Sequence, residues 1–222
     1  VNANEEEEIY NKLTEIELIE DSATPNVNRL LELSKDEDSE IRYRAFELLI
    51  CHQLPEVKKQ VLIGLNDSHE LVRVACLEIL GYWEEEDCLE QIRQLLISDE
   101  SFIVQSYAAL ALAEIGNKSA VAWITEVLPE AVGGEEYFFL CTALYHLGEK
   151  DYLNNIFDGL CDPYYRSKCA SAHLLAEYCT DDSTRDLILS HLSAALEVET
   201  TIAAKSSIQA AIANIIEDSK QA

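Results

Sequence analysis

Methionine is absent from the 222 residues, and proline and glycine are scarce, at 4 and 7. Val1 is therefore not read as the natural start. Helix interiors tolerate neither proline nor glycine well, so their scarcity suits an all-helical chain. No Pro-, Gly- or Ser-rich linker interrupts the sequence. That favours one domain over 1–222 rather than two separate globules, and the length is enough to bury a real core. No apolar run approaches the length of a membrane span, and Glu5 to Glu8 stand where a signal peptide needs positive charge and then an apolar stretch. A soluble, cytoplasmic protein with no membrane partner is expected. Basic residues are also short: 16 Lys and Arg against 42 Asp and Glu give a net charge of -26. A field of that sign repels phosphates and anionic lipid heads and speeds encounter with basic surfaces, so nucleic acid is excluded as a partner. The same acidity also keeps an open chain of helices soluble. Seven cysteines, at 51, 76, 88, 141, 161, 169 and 179, are an odd number without a C-x-x-C pair. They read as reduced thiols, most of them at apolar helix positions, rather than a disulfide framework.

What the sequence does hold is a repeat. In Asp67-Ser68-His69-Glu70-Leu71-Val72-Arg73-Val74-Ala75-Cys76-Leu77-Glu78-Ile79-Leu80 an Asp precedes a branched residue and Arg by five positions. The same pattern occurs at Asp36, Ile41-Arg42, Ala45 and Leu49, and at Asp99, Val104-Gln105, Ala108 and Leu112. The markers Ile41, Val72 and Val104 are 31 and 32 residues apart. The Asp, with a Ser close behind it, can accept hydrogen bonds from unpaired N–H groups at a helix start. The branched residue, the small residue four later and the Leu four after that share one helical face, and the small one lets a neighbouring helix approach. A period near thirty with two helices per unit predicts an α-solenoid of about six antiparallel helix pairs.

Residues 1–24 are expected to form an N-terminal cap helix, frayed through Glu8 and carrying Ile9, Leu13 and Ile16, with Ile19 a further candidate, as its stripe. Regular repeats fill 25–128, opening at Thr24-Pro25 and again at Pro55. The pattern loosens over 129–222. There Ala120 to Leu128, a break at Gly133-Gly134, and Glu135 to Leu147 make a pair with Leu140 in the Arg position. Two further pairs follow, the last started by Asp181-Asp182-Ser183 and ending in an Ala- and Ser-rich helix with a polar tail as the C-terminal cap.

Asp36, Ile41-Arg42 and Ala45, with Asp67, Val72-Arg73 and Leu80-Gly81, resemble HEAT repeats, in particular the short bacterial variety also seen in phycobilisome lyase subunits. The resemblance spans about Pro25 to Leu128. It implies that Arg42 and Arg73 brace adjacent repeats. It also implies a superhelix whose second helices line a concave surface, usually for binding protein, sometimes for catalysis or nucleic acid; fold alone does not choose among these.

On such a surface, positions two, six and ten beyond each marker face outward. They hold Tyr43 and Glu47; Val74, Glu78 and Tyr82; Ser106, Leu110 and Glu114; and Cys141, Tyr145 and Glu149. Recurring carboxylates and rings suit Lys and Arg side chains, through charge-assisted hydrogen bonds and cation–π contact. An ordinary solvated helix face also carries Glu. Trp83 beside Glu84, Glu85, Glu86 and Asp87 is a second candidate, where the indole either anchors a partner or covers a repeat junction. Cys169 and His173, four apart, have the spacing of a thiolate–imidazole pair or two metal ligands, but no further ligand stands near them in sequence. P-loop, Rossmann, G-x-S-x-G and H-E-x-x-H patterns are missing, and Asp181-Asp182 suits a helix cap better than an acid–base dyad. No catalytic residue, metal or cofactor is assigned. The expected function is a non-enzymatic binding protein, monomeric or paired with its partner, that occludes a basic protein. An immunity protein neutralising a nuclease toxin is one such case. A general HEAT scaffold and a phycobilisome-lyase-like protein are the alternatives.

Overall fold

The computed structural model describes residues 3–22, 25–131, 134–178 and 183–218. Thirteen α-helices and no strand lie among the described residues. The chain divides into two compact units, Val1–Ala111 and Leu112–Ala222. In the first, α1 (Ala3–Glu20) precedes α2 (Val27–Leu33) with α3 (Ser39–Leu49), α4 (Pro55–Gly64) with α5 (Glu70–Tyr82), and α6 (Leu89–Ser98) with α7 (Phe102–Glu114), the division falling inside α7. The second holds α8 (Ala120–Val127) with α9 (Glu136–His146), α10 (Leu153–Gly159) with α11 (Tyr165–Tyr178), and α12 (Arg185–Val198) with α13 (Ile202–Asp218). Second helices lie side by side, α3 against α5 in the first unit, and α9, α11 and α13 in succession in the second. Both units are thus all-α solenoid stretches of stacked helix pairs.

The marker residues build the core. Ile41, Ala45, Leu49, Val72, Cys76, Leu80, Val104, Ala108 and Leu112 are all fully buried. Each falls on the face predicted by its i, i+4, i+8 spacing. Gly64 ends α4 close to its neighbours: a Cβ there would clash with Cys76 Sγ and lie 2.9 Å from Phe46 Cζ. Absence of a side chain is what allows α4 to sit that near.

The repeat Asp shapes the turn before each second helix and does not cap the helix itself. Asp36, Asp67 and Asp99 accept from the backbone N–H two residues on, at Asp38, His69 and Ser101, at 3.0, 2.9 and 2.9 Å. The cap of α3 is Asp38, which accepts from Glu40 and Ile41 N–H. Each repeat carboxylate then takes a cation from the preceding repeat. Lys12 reaches Asp36 at 2.8 Å, Arg42 grips Asp67 at 2.8 and 2.7 Å, and Arg73 grips Asp99 at 2.9 and 2.7 Å. Both arginines also donate to carbonyls of their own loop, at Asp36, Glu37 and Asp67. Arg42 and Arg73 therefore brace adjacent repeats. Gln105 keeps only the own-loop half of this arrangement, donating to Asp99 O at 2.7 Å, because a neutral amide cannot form the charged pair. In the second unit the device returns as Lys168 on Glu199 at 2.6 Å, with Glu199 also accepting from Thr200 and Thr201 N–H ahead of α13.

Several element ends differ from expectation. α1 is helical from Ala3 rather than frayed through Glu8, tied down where Lys12 bonds both Glu8 and Asp36. α2 begins after Pro25, because the side chain of Asn26 caps it by accepting from Arg29 N–H. Thr24, Gly133, Cys179, Asp181, Asp182 and the tail beyond 218 lie outside the described residues. After α9, Gly148 (φ +108) closes the helix in a left-handed turn, with its N–H on Tyr145 O and that of Glu149 on Leu144 O. After α5 the same two bonds recur, Glu84 N–H to Gly81 O and Glu85 N–H to Leu80 O, but the left-handed residue is Glu84, at φ 52.

Candidate functional site

Tyr43 and Glu47 are four apart on α3 and share a face. The Tyr43 hydroxyl donates to Glu47 Oε1 at 2.7 Å, and Arg44 donates to Oε2 at 2.6 Å while also lying 3.6 Å from Glu20. Both oxygens of Glu47 are thus engaged by donors. On the adjacent helix α5, Glu78 is exposed and takes part in no hydrogen bond or ion pair among the described residues. Solvent reaches this carboxyl, yet the protein crowded around it, with the charge on Glu47 added, pushes it up to about 7. The phenols on either side respond to the same charges. Tyr43 is raised by burial, by its bond to Glu47 and by the charges of Glu47 and Glu78; Tyr107 of α7 is raised by burial and then by Glu78. Tyr82, four residues beyond Glu78 on the same face, is 65 % exposed. One paired carboxylate, one unpaired carboxylate and three tyrosines therefore gather on one face of the first unit.

Five of the remaining outward positions did not fall where the spacing put them. Val74, Ser106, Leu110 and Cys141 are buried, and so is Tyr145, at 2 % exposure. The reason is local: Val72 to Leu77 in the first half of α5, and Leu140 to Tyr145 in α9, are buried without interruption, so these stretches are covered on both faces. Ser106 satisfies its hydroxyl within α7 by donating to Phe102 O. Burial drives the Cys141 thiol up to about 12. Lys150 lies over the Tyr145 ring, 3.8 Å from its centre, and the Tyr145 hydroxyl has no partner. Glu114 is half-buried and Glu149 is exposed in the turn after α9. Glu47, Glu78 and the tyrosines come together only in the first unit.

Trp83 is not a free anchor. It is 9 % exposed, and its indole N–H donates to Ile50 O at 2.7 Å, closing the end of the preceding second helix. Of the acidic turn, Glu85 and Asp87 pair with Lys58 at 2.8 and 3.3 Å, while Glu84 and Glu86 remain exposed. Cys169 is half-buried and His173 exposed, and among the described residues no group of His, Cys, Asp and Glu is placed to hold a metal ion. No helix is long and apolar enough to cross a membrane among the described residues.

Two members of the face were missed by the spacing rule, Arg44 and Tyr107. The signal for Arg44 was Glu47 three residues on, a pair that meets on any helix surface. The signal for Tyr107 was angular. At about 100° per residue it lies within about 20° of Tyr82 when each is counted from its own marker.

Residues 59–134 match the family model of HEAT repeats. Two solved structures of engineered proteins are similar to this chain. One is 17 % identical and covers 87 % of this chain and 100 % of its own, at TM-score 0.38; the other is 16 % identical, with coverages of 87 % and 98 %, at 0.42. The complex of CpcE and CpcF of phycocyanin lyase from Nostoc sp. PCC7120 is 13 % identical over 88 % of this chain and 96 % of that one, at 0.47. No curated protein matches the chain.

Proposed function

We propose that this chain, which carries HEAT repeats over residues 59–134, is a non-enzymatic protein-binding module whose first unit holds a basic partner protein on the face of Tyr43, Glu47, Glu78 and Tyr82. The observation that carries this reading is the unpaired carboxylate of Glu78 beside the fully engaged carboxylate of Glu47. A lysine or arginine from a partner supplies the missing cation. One charge-assisted hydrogen bond there contributes about 1.5–3 kcal/mol, and stacking on the exposed Tyr82 ring adds about 0.5–1 kcal/mol. The net charge of -26 steers a basic protein toward the face and raises its association rate at low salt. Within this class, a nuclease toxin is a partner that would be neutralised, because its cleft is built to take phosphates and accepts carboxylates in their place.

The test is surface-captured binding of a panel of purified basic proteins, a nuclease among them, to the wild type and to the variant E78Q/Y82A at several salt concentrations. The expected result is at least one partner whose association rate falls steeply with salt and whose Kd weakens about tenfold or more in the variant, as loss of one such bond and one ring contact requires. Equal affinity of wild type and variant for every member that binds would move the binding surface elsewhere.

A further inference from the structure

We propose that copies of this chain associate head to tail, the outward stripe of α13 in one copy taking the outward stripe of α1 in the next. The terminal units of a stack of repeats need a polar outer face to stay apart in water. α1 and α13 instead expose Tyr10, Leu18 and Ile202 among uncharged residues. On α13 the exposed residues Ile202, Ala203, Ser206, Gln209, Ala210 and Ala213 fall on one side of the helix, opposite the buried Ala204, Ile208, Ala211 and Ile215, and none is charged. On α1 the side opposite Ile16 and Ile19 carries Glu7, Tyr10, Asn11, Thr14 and Leu18, uncharged beyond its first residue. Tyr10 and Leu18 are 69 % and 67 % exposed. In a chain of net charge -26, these stripes let two copies meet without setting carboxylate against carboxylate.

The two stripes complement each other in shape and in charge. α13 offers small residues at Ala203, Ser206, Ala210 and Ala213, and α1 offers the ring of Tyr10 and the branched end of Leu18 to lie between them, as close helix packing needs. The helices are 17 and 18 residues long, so with their starts side by side they match along their length. That alignment brings Lys205, in the first turn of α13, beside Glu7 near the start of α1. Lys205 has the register of the junction cations. It lies six residues after the turn acid Glu199, as Arg42, Arg73 and Lys168 lie six after Asp36, Asp67 and Asp162. Asp162 and Glu199 also accept from the N–H two residues on, as the other turn acids do. Arg42, Arg73 and Lys168 each reach a carboxylate of the following repeat, whereas Lys205 is exposed and bonds no carboxylate among the described residues. Glu7 is likewise exposed and unpaired among them. A carboxylate at the start of the next copy's α1 completes the series. Because the two surfaces differ, the contact is heterologous and leaves one stripe free at each end. Neither Glu78 nor Tyr82 takes part, so the association is independent of the cation-binding face.

Sedimentation velocity of the full chain is measured up to about 1 mM, because a contact of one helix face with another lies at the small, weak end of interfaces. Salt is held at about 0.15 M, where repulsion between copies is screened beyond about 8 Å. Ala210→Glu blocks the stripe of α13 and Leu18→Glu that of α1; both positions are exposed, Ala213→Glu serves as a second block on α13, and circular dichroism verifies wild-type helix content in each. In the wild type the sedimentation coefficient rises with concentration past that of a dimer. Each single variant stays monomeric throughout, and an equimolar mixture of L18E and A210E forms dimers and nothing larger, since each keeps the stripe that the other lacks. K205E weakens the association and K205E/E7K restores it. A wild type that stays monomeric at every concentration overturns the proposal, as does a mixture that stays monomeric while the wild type associates. Dimers of L18E alone put α13 against α13 and overturn it as well.

Discussion

Replacing Arg73 by methionine removes one half of the least exposed ion pair in the first unit while keeping most of the apolar stem. The guanidinium holds Asp99 through two bonds of 2.9 and 2.7 Å and Asp67 O through a third of 2.8 Å, and the two side chains are 7 % and 6 % exposed. In R73M the Asp99 charge stays buried with the N–H of Ser101 as its remaining partner. Removing one member of a buried pair costs about 3–5 kcal/mol; the retained N–H argues for the lower end, about 3 kcal/mol, or roughly a hundredfold in the unfolding equilibrium. Urea unfolding followed by fluorescence in a W123F background reads the first unit alone, through Trp83. With a denaturant slope of about 1–2 kcal/mol per molar for a unit of this size, the midpoint falls by about 1.5–3 M. The double variant R73M/D99N recovers most of that loss, because no charge is left buried. A fall of less than about 0.5 M in R73M, or a double variant no more stable than R73M, refutes the claim that this pair braces the repeats.

Three further outcomes follow from local geometry. E84G raises stability by about 1 kcal/mol, since glycine adopts the left-handed turn that Glu84 occupies at φ 52 without penalty; E84A, which removes the charge alone, gains less, and Trp83-detected melts compare them. G64A lowers stability by about 1–3 kcal/mol, because the new methyl collides with Cys76 Sγ and Phe46 in a packed interior; a melt equal to wild type would mean that α4 shifts freely. At acid pH the first unit weakens through Asp67. Burial opposes, but Arg42 and the N–H of His69 hold this carboxyl below its ordinary 3.8, so the stability it contributes is present above 3.8 and is lost as pH falls below that value. D67N flattens that acid limb in urea midpoints measured at pH 5 and pH 3. Glu78 has the opposite sign: its folded value is raised, so its contribution is present below the ordinary 4.5 and is lost as pH rises through about 7.

The stacking of helices was legible because it rests on a few residue types at fixed spacing. Ile41, Ala45 and Leu49, and their counterparts 31 and then a further 32 residues on, are buried as the i, i+4, i+8 rule requires. The partner face was legible only where a second helix keeps a polar side. On α3 and α5, Tyr43, Glu47, Glu78 and Tyr82 stand out as the rule predicts. On α9 the rule fails at Cys141 and Tyr145, because a helix packed on both sides buries its outward positions too, and nothing in a periodicity near 3.6 says how many neighbours a helix has. Trp83 was ambiguous for another reason. An indole needs one hydrogen-bond partner, and the carbonyl that supplies it, at Ile50, is 33 residues away. Glu84 hid its backbone conformation behind a residue type that rarely adopts it, where Gly148 announced the same turn.

The chain has few cations, and those of the repeat junctions point inward. Lys12, Arg42, Arg73 and Lys168 are committed to carboxylates of the next repeat, in pairs that are largely sheltered from solvent, the Arg73–Asp99 pair most of the four. What faces water is correspondingly a polyanion, which gathers a mobile atmosphere of potassium or sodium. Salt then acts on two populations differently. It screens the mutual repulsion of exposed carboxylates within a Debye length of about 8–10 Å, while the sheltered pairs keep most of their attraction. The folded state is accordingly firmer in moderate salt than in dilute buffer, and any basic protein that docks must first displace part of that ionic cloud, gaining entropy from the ions it sets free.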